Sequence, residues 1–124
     1  MMGFNRELFP IQVYNLVVTG TGWTTILAEG MPYQTLNGKW RLKFNISGSV
    51  TSSAKTTYTA TVSGVTFSSI TVQGCSFAAG GADRGTCVAT PSSGNLISDH
   101  PSQTTSSYRL AGDVLLDSKP TFLP

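Results

Sequence analysis

The stretch KWRLKFNISGSV, from Lys39 to Val50, alternates apolar and polar side chains. Successive side chains of a β-strand point to opposite faces, so this alternation gives one apolar and one polar face. Helical spacing would instead mix Trp40 and Phe44 with Lys43 and Ser47 on one side. The apolar face comprises Trp40, Leu42, Phe44 and Ile46, and the polar face comprises Arg41, Lys43, Asn45 and Ser47. The stretch therefore predicts a half-buried strand.

The segments on either side of this strand predict its connections. Asn37-Gly38 comes directly before it and is the strongest two-residue signal for a β-hairpin, because both positions tolerate positive φ. After it, Tyr58 to Val62 alternates with threonines and predicts a second half-buried strand of matching character. We expect the strands at 39–50 and 58–62 to form a hairpin with each other.

The rest of the chain repeats short apolar segments at regular spacing with turn signals between them. A turn is predicted at 29–32, where Gly30 and Pro32 interrupt the pattern, and further strands are predicted at 65–67 and 70–72. In total, the chain is predicted to contain about eight to ten short strands. The pattern predicts an all-β, antiparallel β-sandwich or jelly roll at residues 11–124, preceded by an N-terminal arm at residues 1–10.

The composition excludes several classes of function. The 124 residues are 40% hydrophobic but only 11% charged, with a net charge of +2, and the surface polarity comes largely from 15 Ser and 17 Thr. No basic cluster suited to nucleic acid is evident. No apolar run approaches the length of a membrane span, and the first residues do not resemble a signal peptide. We therefore expect no nucleic-acid or membrane partner, and synthesis in a cytoplasm.

The two cysteines, Cys75 and Cys87, leave two interpretations open. One is a disulfide that closes a loop around the Gly-rich segment 79–82. The other, which we favour for a chain without a secretion signal, is a pair of free thiols on neighbouring strands. Two cysteines and the single histidine, His100, do not have the spacing of a zinc site.

No catalytic arrangement is evident either. His100 lies in a polar loop, and no serine sits in a nucleophile elbow. Asp113 and Asp117 are the best candidates for a pair of facing carboxylates, but aspartates are common at turns and strand ends. The segment 80–85 lacks the lysine and helix of a phosphate-binding loop. We expect no enzyme activity, cofactor or metal.

The aromatic residues fall into two groups. Trp40, Tyr58 and Tyr108 lie on the apolar faces of their strands, so we expect them in the core. Trp23 and Tyr33 lie near turns and are candidates for stacking against sugars.

Three stretches carry a resemblance to a known family: Asn37–Val50, Tyr58–Phe67 and Tyr108–Phe122. Together they resemble the trimeric β-sandwich domains found at the ends of bacteriophage fibres and on phage capsids. The resemblance covers about residues 36–122. It implies a non-enzymatic virion protein that forms a homotrimer, and it carries no active-site residue with it.

The front of the chain departs from the fibre pattern. Fibre proteins place a long stalk before this domain, whereas about 35 residues without heptads precede it here. We therefore expect a capsid decoration or cement protein, located on the capsid surface of the virion, with the major capsid protein and its own copies as partners. Its capsid-contact candidates are Phe4, Leu8 and Phe9. The alternative is a fibre or receptor-binding tip that recognises host-surface glycans through Trp23, Tyr33 and the loop 98–106.

Overall fold

The computed structural model describes residues 12–20, 23–50, 57–79, 82–83, 86–99 and 107–124. These residues form ten β-strands. They contain no helix that is long and apolar enough to span a membrane. The strands are β1 (Tyr14–Asn15), β2 (Val18–Thr19), β3 (Trp23–Gln34), β4 (Trp40–Val50), β5 (Thr57–Val62), β6 (Gln73–Ala79), β7 (Ala82–Asp83), β8 (Thr86–Ala89), β9 (Asn95–Asp99) and β10 (Ser107–Leu115).

All pairings between these strands are antiparallel, and they join into one curled sheet. Nine strands follow the order β1-β3-β4-β10-β6-β8-β9-β5-β2, and β7 pairs with β6 alone. Strand β6 is the joint of the sheet, because residues 76–79 pair with β10 and residues 73–75 pair with β8. The predicted all-β, antiparallel class is confirmed. The finer assignment to a sandwich or jelly roll stays a prediction.

The core lies on the concave side of the curled sheet, where the apolar faces of the strands meet. The alternation predicted for β4 is confirmed, since Leu42, Phe44 and Ile46 are buried and Trp40 packs against them. The same holds for β5, whose burial alternates with a period of two. The fully buried large side chains include Tyr58, Tyr108, Phe67, Phe77, Leu96 and Leu110.

The turn between β3 and β4 contains Asn37 and Gly38, as predicted. Its loop is one residue longer than the predicted two-residue turn: Gly38 donates its N–H to the carbonyl of Thr35 at 2.9 Å, and Thr35 donates its own to the carbonyl of Lys39 at 2.8 Å. Gly38 has a φ of 85°, while no positive φ occurs at Asn37. This is the three-residue hairpin loop that ends on a glycine in the left-handed region.

The predicted hairpin between residues 39–50 and 58–62 is wrong. Strand β4 pairs with β3 and β10, and β5 pairs with β9 and β2. Alternation identifies which face of a strand is buried but not which strand lies beside it. The nine-residue β10 matches β4 over its whole length, from Ser107 opposite Ser49 to Leu115 opposite Arg41.

Two further local predictions are wrong. Strand β3 runs through 29–32 without a turn, because β1 pairs only with Glu29 and Gly30, so the missing N–H of Pro32 interrupts no ladder on that side. Residues 70–72 form no strand, and Ile70 and Val72 are exposed. Of the strand predicted at 65–67, only an isolated bridge from Phe67 to Leu116 exists.

The two edges of the curled sheet are joined by the segment 14–19. Its first part, β1, pairs with β3 at one edge, and its last part, β2, pairs with β5 at the other. Between them Leu16 is buried and donates its N–H to the carbonyl of Ala28, while the carbonyl of Val17 accepts the N–H of Ser63. We call this segment the seam strand.

Candidate functional site

Several residues singled out by the sequence lie outside the described residues. They are the capsid-contact candidates Phe4, Leu8 and Phe9 with the rest of the arm at 1–10, His100, and most of the loop 98–106. Trp23 is the first residue of β3, opposite Val50.

Cys75 and Cys87 are register partners on β6 and β8, and their sulfur atoms are bonded at 2.04 Å. The structure thus has the disulfide rather than the favoured pair of free thiols. The preference for free thiols was based on the cellular compartment, about which the fold gives no information. The placement of the two cysteines on neighbouring strands, which that interpretation included, agrees with the structure. Gly112 makes room for this bond, because a Cβ there would lie 3.0 Å from the Cβ of Cys75.

Asp113 and Asp117 each have their own hydrogen-bond partners. Asp113 accepts the Tyr33 hydroxyl at 2.7 Å and the Arg41 Nε at 3.0 Å. Asp117 accepts the backbone N–H of Ser69 at 2.9 Å and its hydroxyl at 3.2 Å. Two carboxylates that are each engaged in this way act as structural acceptors on the surface.

The cluster of Tyr33, Arg41 and Asp113 lies on the outer face of the sheet, one residue from each of three adjacent strands. Partial burial and the hydrogen bond to the Asp113 carboxylate raise the pKa of Tyr33. For Arg41, burial alone would lower the pKa, but the hydrogen bonds to Asp113 and Tyr33 outweigh it and raise the pKa. At neutral pH the cluster therefore presents a neutral phenol beside an ion pair.

The aromatic residues expected in the core are placed there. Tyr58 is 2% exposed and Tyr108 is 1% exposed, and Trp40 packs against the core cluster. Tyr33 is half-buried at the surface, which keeps it available to a ligand on that side.

An open trough of about 500 Å³ lies on the outer face of the sheet. It crosses the strands rather than following them. We call it the outer-face trough. Its lining comes from the segment before β1 and from β3, β4, β10 and β6: Val13, Glu29, Gly30, Met31, Lys43, Phe44, Asn45, Ser76, Arg109, Ala111 and Gly112.

The pairing register explains the trough. Met31 pairs with Lys43, and the adjacent row across the sheet places Glu29, Asn45, Ala111 and Ser76 side by side. Because the side chains of Ala111 and Ser76 are small, the outer surface is recessed over β10 and β6. Four interstrand steps separate β1 from β6, so the trough is about 19 Å long.

The charged groups of the trough are only partly engaged. Arg109 donates its Nε to the side-chain oxygen of Asn45 at 3.0 Å. Glu29 and Lys43 are exposed, and neither side chain has an ion pair or hydrogen bond within the described part of the chain. The trough therefore offers one free carboxylate and one free ammonium group above a largely apolar lining.

Sequence reasoning did not find this surface. The alternation of β4 indicates that Lys43 and Asn45 share a polar face, but the neighbours of that face depend on the register with β3 and β10. The small residues Ser76, Ala111 and Gly112 were the available signal. They indicate a surface depression only once β4, β10 and β6 have been aligned.

Among the residues that the structure describes, no group of three or more potential metal ligands occurs. Comparisons with protein-family models, with curated proteins and with solved structures found no match to the chain.

Proposed function

We propose that the chain is a non-enzymatic structural protein of a bacteriophage virion, a decoration or cement protein that binds the outer capsid as a homotrimer and stabilises the shell. The observation that carries the proposal is the placement of two of the stretches that resemble such domains. Asn37–Val50 contains β4 and Tyr108–Phe122 contains most of β10, and these strands are direct neighbours. The strands of these two stretches thus form one continuous piece of sheet.

The proposed assembly is a β-sandwich or jelly roll repeated three times. The curl of the sheet supports this arrangement, because β6 carries the ladder from one half of the sheet to the other and the buried faces of both halves form one core. The low charge of the chain supports permanent association, since copies repel one another weakly.

The mechanism of shell stabilisation would be burial of apolar surface. Phe4, Leu8 and Phe9 of the arm supply side chains that each gain from leaving water, at about 25 cal/mol per Å². Much of that gain is offset by the freedom lost on binding. A trimer with three arms multiplies the remainder, because binding of the second and third arms is intramolecular.

The test is a binding assay with particles of the phage that encodes the protein, stripped of it beforehand. Deletion of residues 1–10 is expected to abolish binding to the particles while the trimer persists in analytical ultracentrifugation. The matched control is Leu36→Ala, which removes an exposed apolar side chain from the β3–β4 loop and should leave particle binding unchanged. Full binding by the truncated chain would show that the arm is not the contact.

A second candidate, glycan recognition, draws support from the cluster of Tyr33, Arg41 and Asp113. An aromatic ring beside hydrogen-bonding and charged groups at the surface is a suitable sugar contact. A glycan array with the purified protein separates the two functions. Selective binding that is lost in Tyr33→Ala and Trp23→Ala would favour the tip module over the decoration protein.

A further inference from the structure

We propose that the outer-face trough binds an acidic polysaccharide, with Arg109 holding a carboxylate of one of its sugar residues. The proposal rests on the second candidate function, glycan recognition, and it adds the site and the charge of the glycan. The residues that carry it differ from the cluster of Tyr33, Arg41 and Asp113 on which that function was based.

The first observation is a row of hydrogen-bonding side chains along the trough. Register partners on five adjacent strands form this row, in the order Asn15, Glu29, Asn45, Ala111 and Ser76. Asn15 extends it into an adjoining recess that shares Glu29 and Asn45 with the trough. Neighbouring strands lie about 4.8 Å apart, so the amide, carboxylate and hydroxyl groups recur at short intervals. The row can therefore meet several hydroxyl groups of one extended ligand.

The second observation is that apolar side chains flank this row on both sides. Val13 and Met31 line the trough on one side of the row, and Leu27 lines the adjoining recess on the other side. Val13 is 58% exposed and Leu27 is 72% exposed. Sugar rings carry C–H groups on their faces and hydroxyl groups around their edges. A polar row between apolar flanks matches both parts of such a ring, because the C–H faces cover the apolar carbon atoms.

The third observation is the setting of Arg109. Its Nε donates to Oδ1 of Asn45 at 3.0 Å, which positions the guanidinium at the trough. Within the described part of the chain, no carboxylate forms an ion pair with Arg109. The small residues Ser76, Ala78 and Ala111 line a recess of about 180 Å³ beside it. A carboxylate in that recess can accept two parallel hydrogen bonds from the Nη groups, and bidentate pairing of this kind is a property of guanidinium.

The charge balance of the trough also favours an anionic ligand. Lys43 and Arg109 are exposed cations that line it, and Glu29 is its exposed carboxylate. None of the three belongs to an ion pair among the described residues. Two positive charges against one negative charge give a positive trough, which complements a chain with spaced carboxylates. The net charge of only +2 for the whole chain is small for binding the closely spaced phosphates of nucleic acid.

The position of the trough also disfavours an extended peptide. An extended peptide usually binds by adding a strand to the edge of a sheet, where free backbone N–H and C=O groups pair with it. The trough instead crosses the face of β4 and β10, and each of these strands is paired on both sides. Recognition there depends on side chains, which suits a ligand that carries its own hydroxyl groups.

The experiment is a glycan array on which oligosaccharides of uronic acids and of sialic acid are printed beside their methyl esters. Each ester keeps the sugar chain and removes the negative charge. We expect the full-length protein to bind acidic oligosaccharides at least about tenfold more tightly than their esters, since hydrogen bonds to charged groups are the stronger ones. Titration calorimetry with the tightest acid and its ester gives the ratio of affinities.

Two charge-matched variants test the role of Arg109. Arg109→Gln is expected to reduce the ratio of acid to ester affinity to near one. Lys119→Gln removes the same charge from an exposed position outside the trough lining and should keep the ratio of the parent protein. The amide spectra of both variants establish that they are folded.

Asn45→Asp tests the same contact without removing the arginine. The substitution keeps the size of the side chain but places a carboxylate at the acceptor of the Arg109 Nε. The new carboxylate neutralises the guanidinium, so we expect the ratio of acid to ester affinity to fall. A merely structural role of Asn45 would change the affinities for acid and ester alike.

The outcomes separate this inference from glycan recognition itself. Equal binding of acids and esters, or binding that is lost in Tyr33→Ala but kept in folded Arg109→Gln, would leave glycan recognition standing and overturn the trough as its site. Equal losses in Arg109→Gln and Lys119→Gln would indicate general attraction to a polyanion and would also overturn the site. Absence of binding to every glycan would overturn both proposals.

Discussion

Tyr108 is a titratable side chain in the core, and only 1% of its surface is exposed. Its ring meets those of Tyr58 and Phe77 edge to face, with centroids 5.2 Å away in both cases. Burial, followed by the neighbouring phenol of Tyr58, raises the pKa of Tyr108 to about 12. The periodicity of the sequence was sufficient to predict that this residue is buried, but the pairing with Tyr58 could not be predicted, since it depends on strands that lie far apart in the sequence.

The raised pKa of Tyr108 predicts a loss of stability in alkali. Between pH 10 and pH 12 the unfolded chain has released the phenolic proton while the folded chain retains it, so the unfolded state binds fewer protons and stability falls as pH rises. The expected slope from this group is about 1.4 kcal/mol per pH unit. Below pH 10 the contribution is fully present. Urea denaturation at pH 9, 10, 11 and 12 measures it.

Tyr108→Phe keeps the ring and removes the titration, so its stability should depend less steeply on pH across the same range. The comparison is made between slopes, because loss of the hydroxyl also changes the stability at neutral pH. Identical slopes in Tyr108→Phe and the parent protein would mean that Tyr108 does not titrate differently in the folded and unfolded states.

At the scale of the element, the inner and outer faces of β4 and β5 were predictable and their partners were not. Trp40 to Ile46 shows its buried face in one local run, because alternation is a property of a single strand. The pairing of β10 with β4 brings together residues that are 58 to 74 positions apart in the sequence. The outer-face trough inherits this limitation, since Lys43 and Ala111 meet only through that pairing.

The disulfide between β6 and β8 gives the prediction at this scale. It links two strands at the joint of the curled sheet and closes a short loop, with Cys75 and Cys87 separated by 12 positions. A cross-link of this loop length is expected to stabilise the fold by about 3 kcal/mol, chiefly by restricting the unfolded chain. The double variant Cys75→Ala/Cys87→Ala should lose about that much in urea denaturation at pH 7.

Reduced parent protein is the control for this measurement. Dithiothreitol removes the cross-link without removing the side chains, so its effect should match most of the loss in the double variant. If reduction leaves the unfolding midpoint unchanged while the alanine variant is destabilised, the loss comes from packing around Cys87, which is 2% exposed, and not from the cross-link.

At the scale of the whole molecule, the two ends of the described chain meet where the curled sheet would otherwise open. The seam strand joins the edges formed by β3 and β5, and the rings of Tyr14 and Phe122 lie 5.5 Å apart. Thr121 adds a hydrogen bond from its N–H to the carbonyl of Gly64 at 2.8 Å. A segment that changes its pairing partner halfway leaves no local signature in the sequence.

The seam strand predicts a pronounced contrast between two neighbouring residues. Leu16 is 8% exposed and packs against Gly30, where a Cβ would lie 2.8 Å from its Cδ1, whereas Val17 is 66% exposed. Leu16→Ala removes buried carbon atoms from the only segment in the described chain that pairs with both sheet edges, and it should cost about 2–5 kcal/mol. Val17→Ala should change stability by less than about 0.5 kcal/mol.

Urea denaturation of both variants gives the comparison, and because their substitutions are adjacent, any general effect of altering this segment is shared. Equal losses would indicate that the seam strand contributes through its backbone pairing alone. A loss confined to Leu16→Ala would indicate that its side chain, packed between the edges, is what holds the curl of the sheet together.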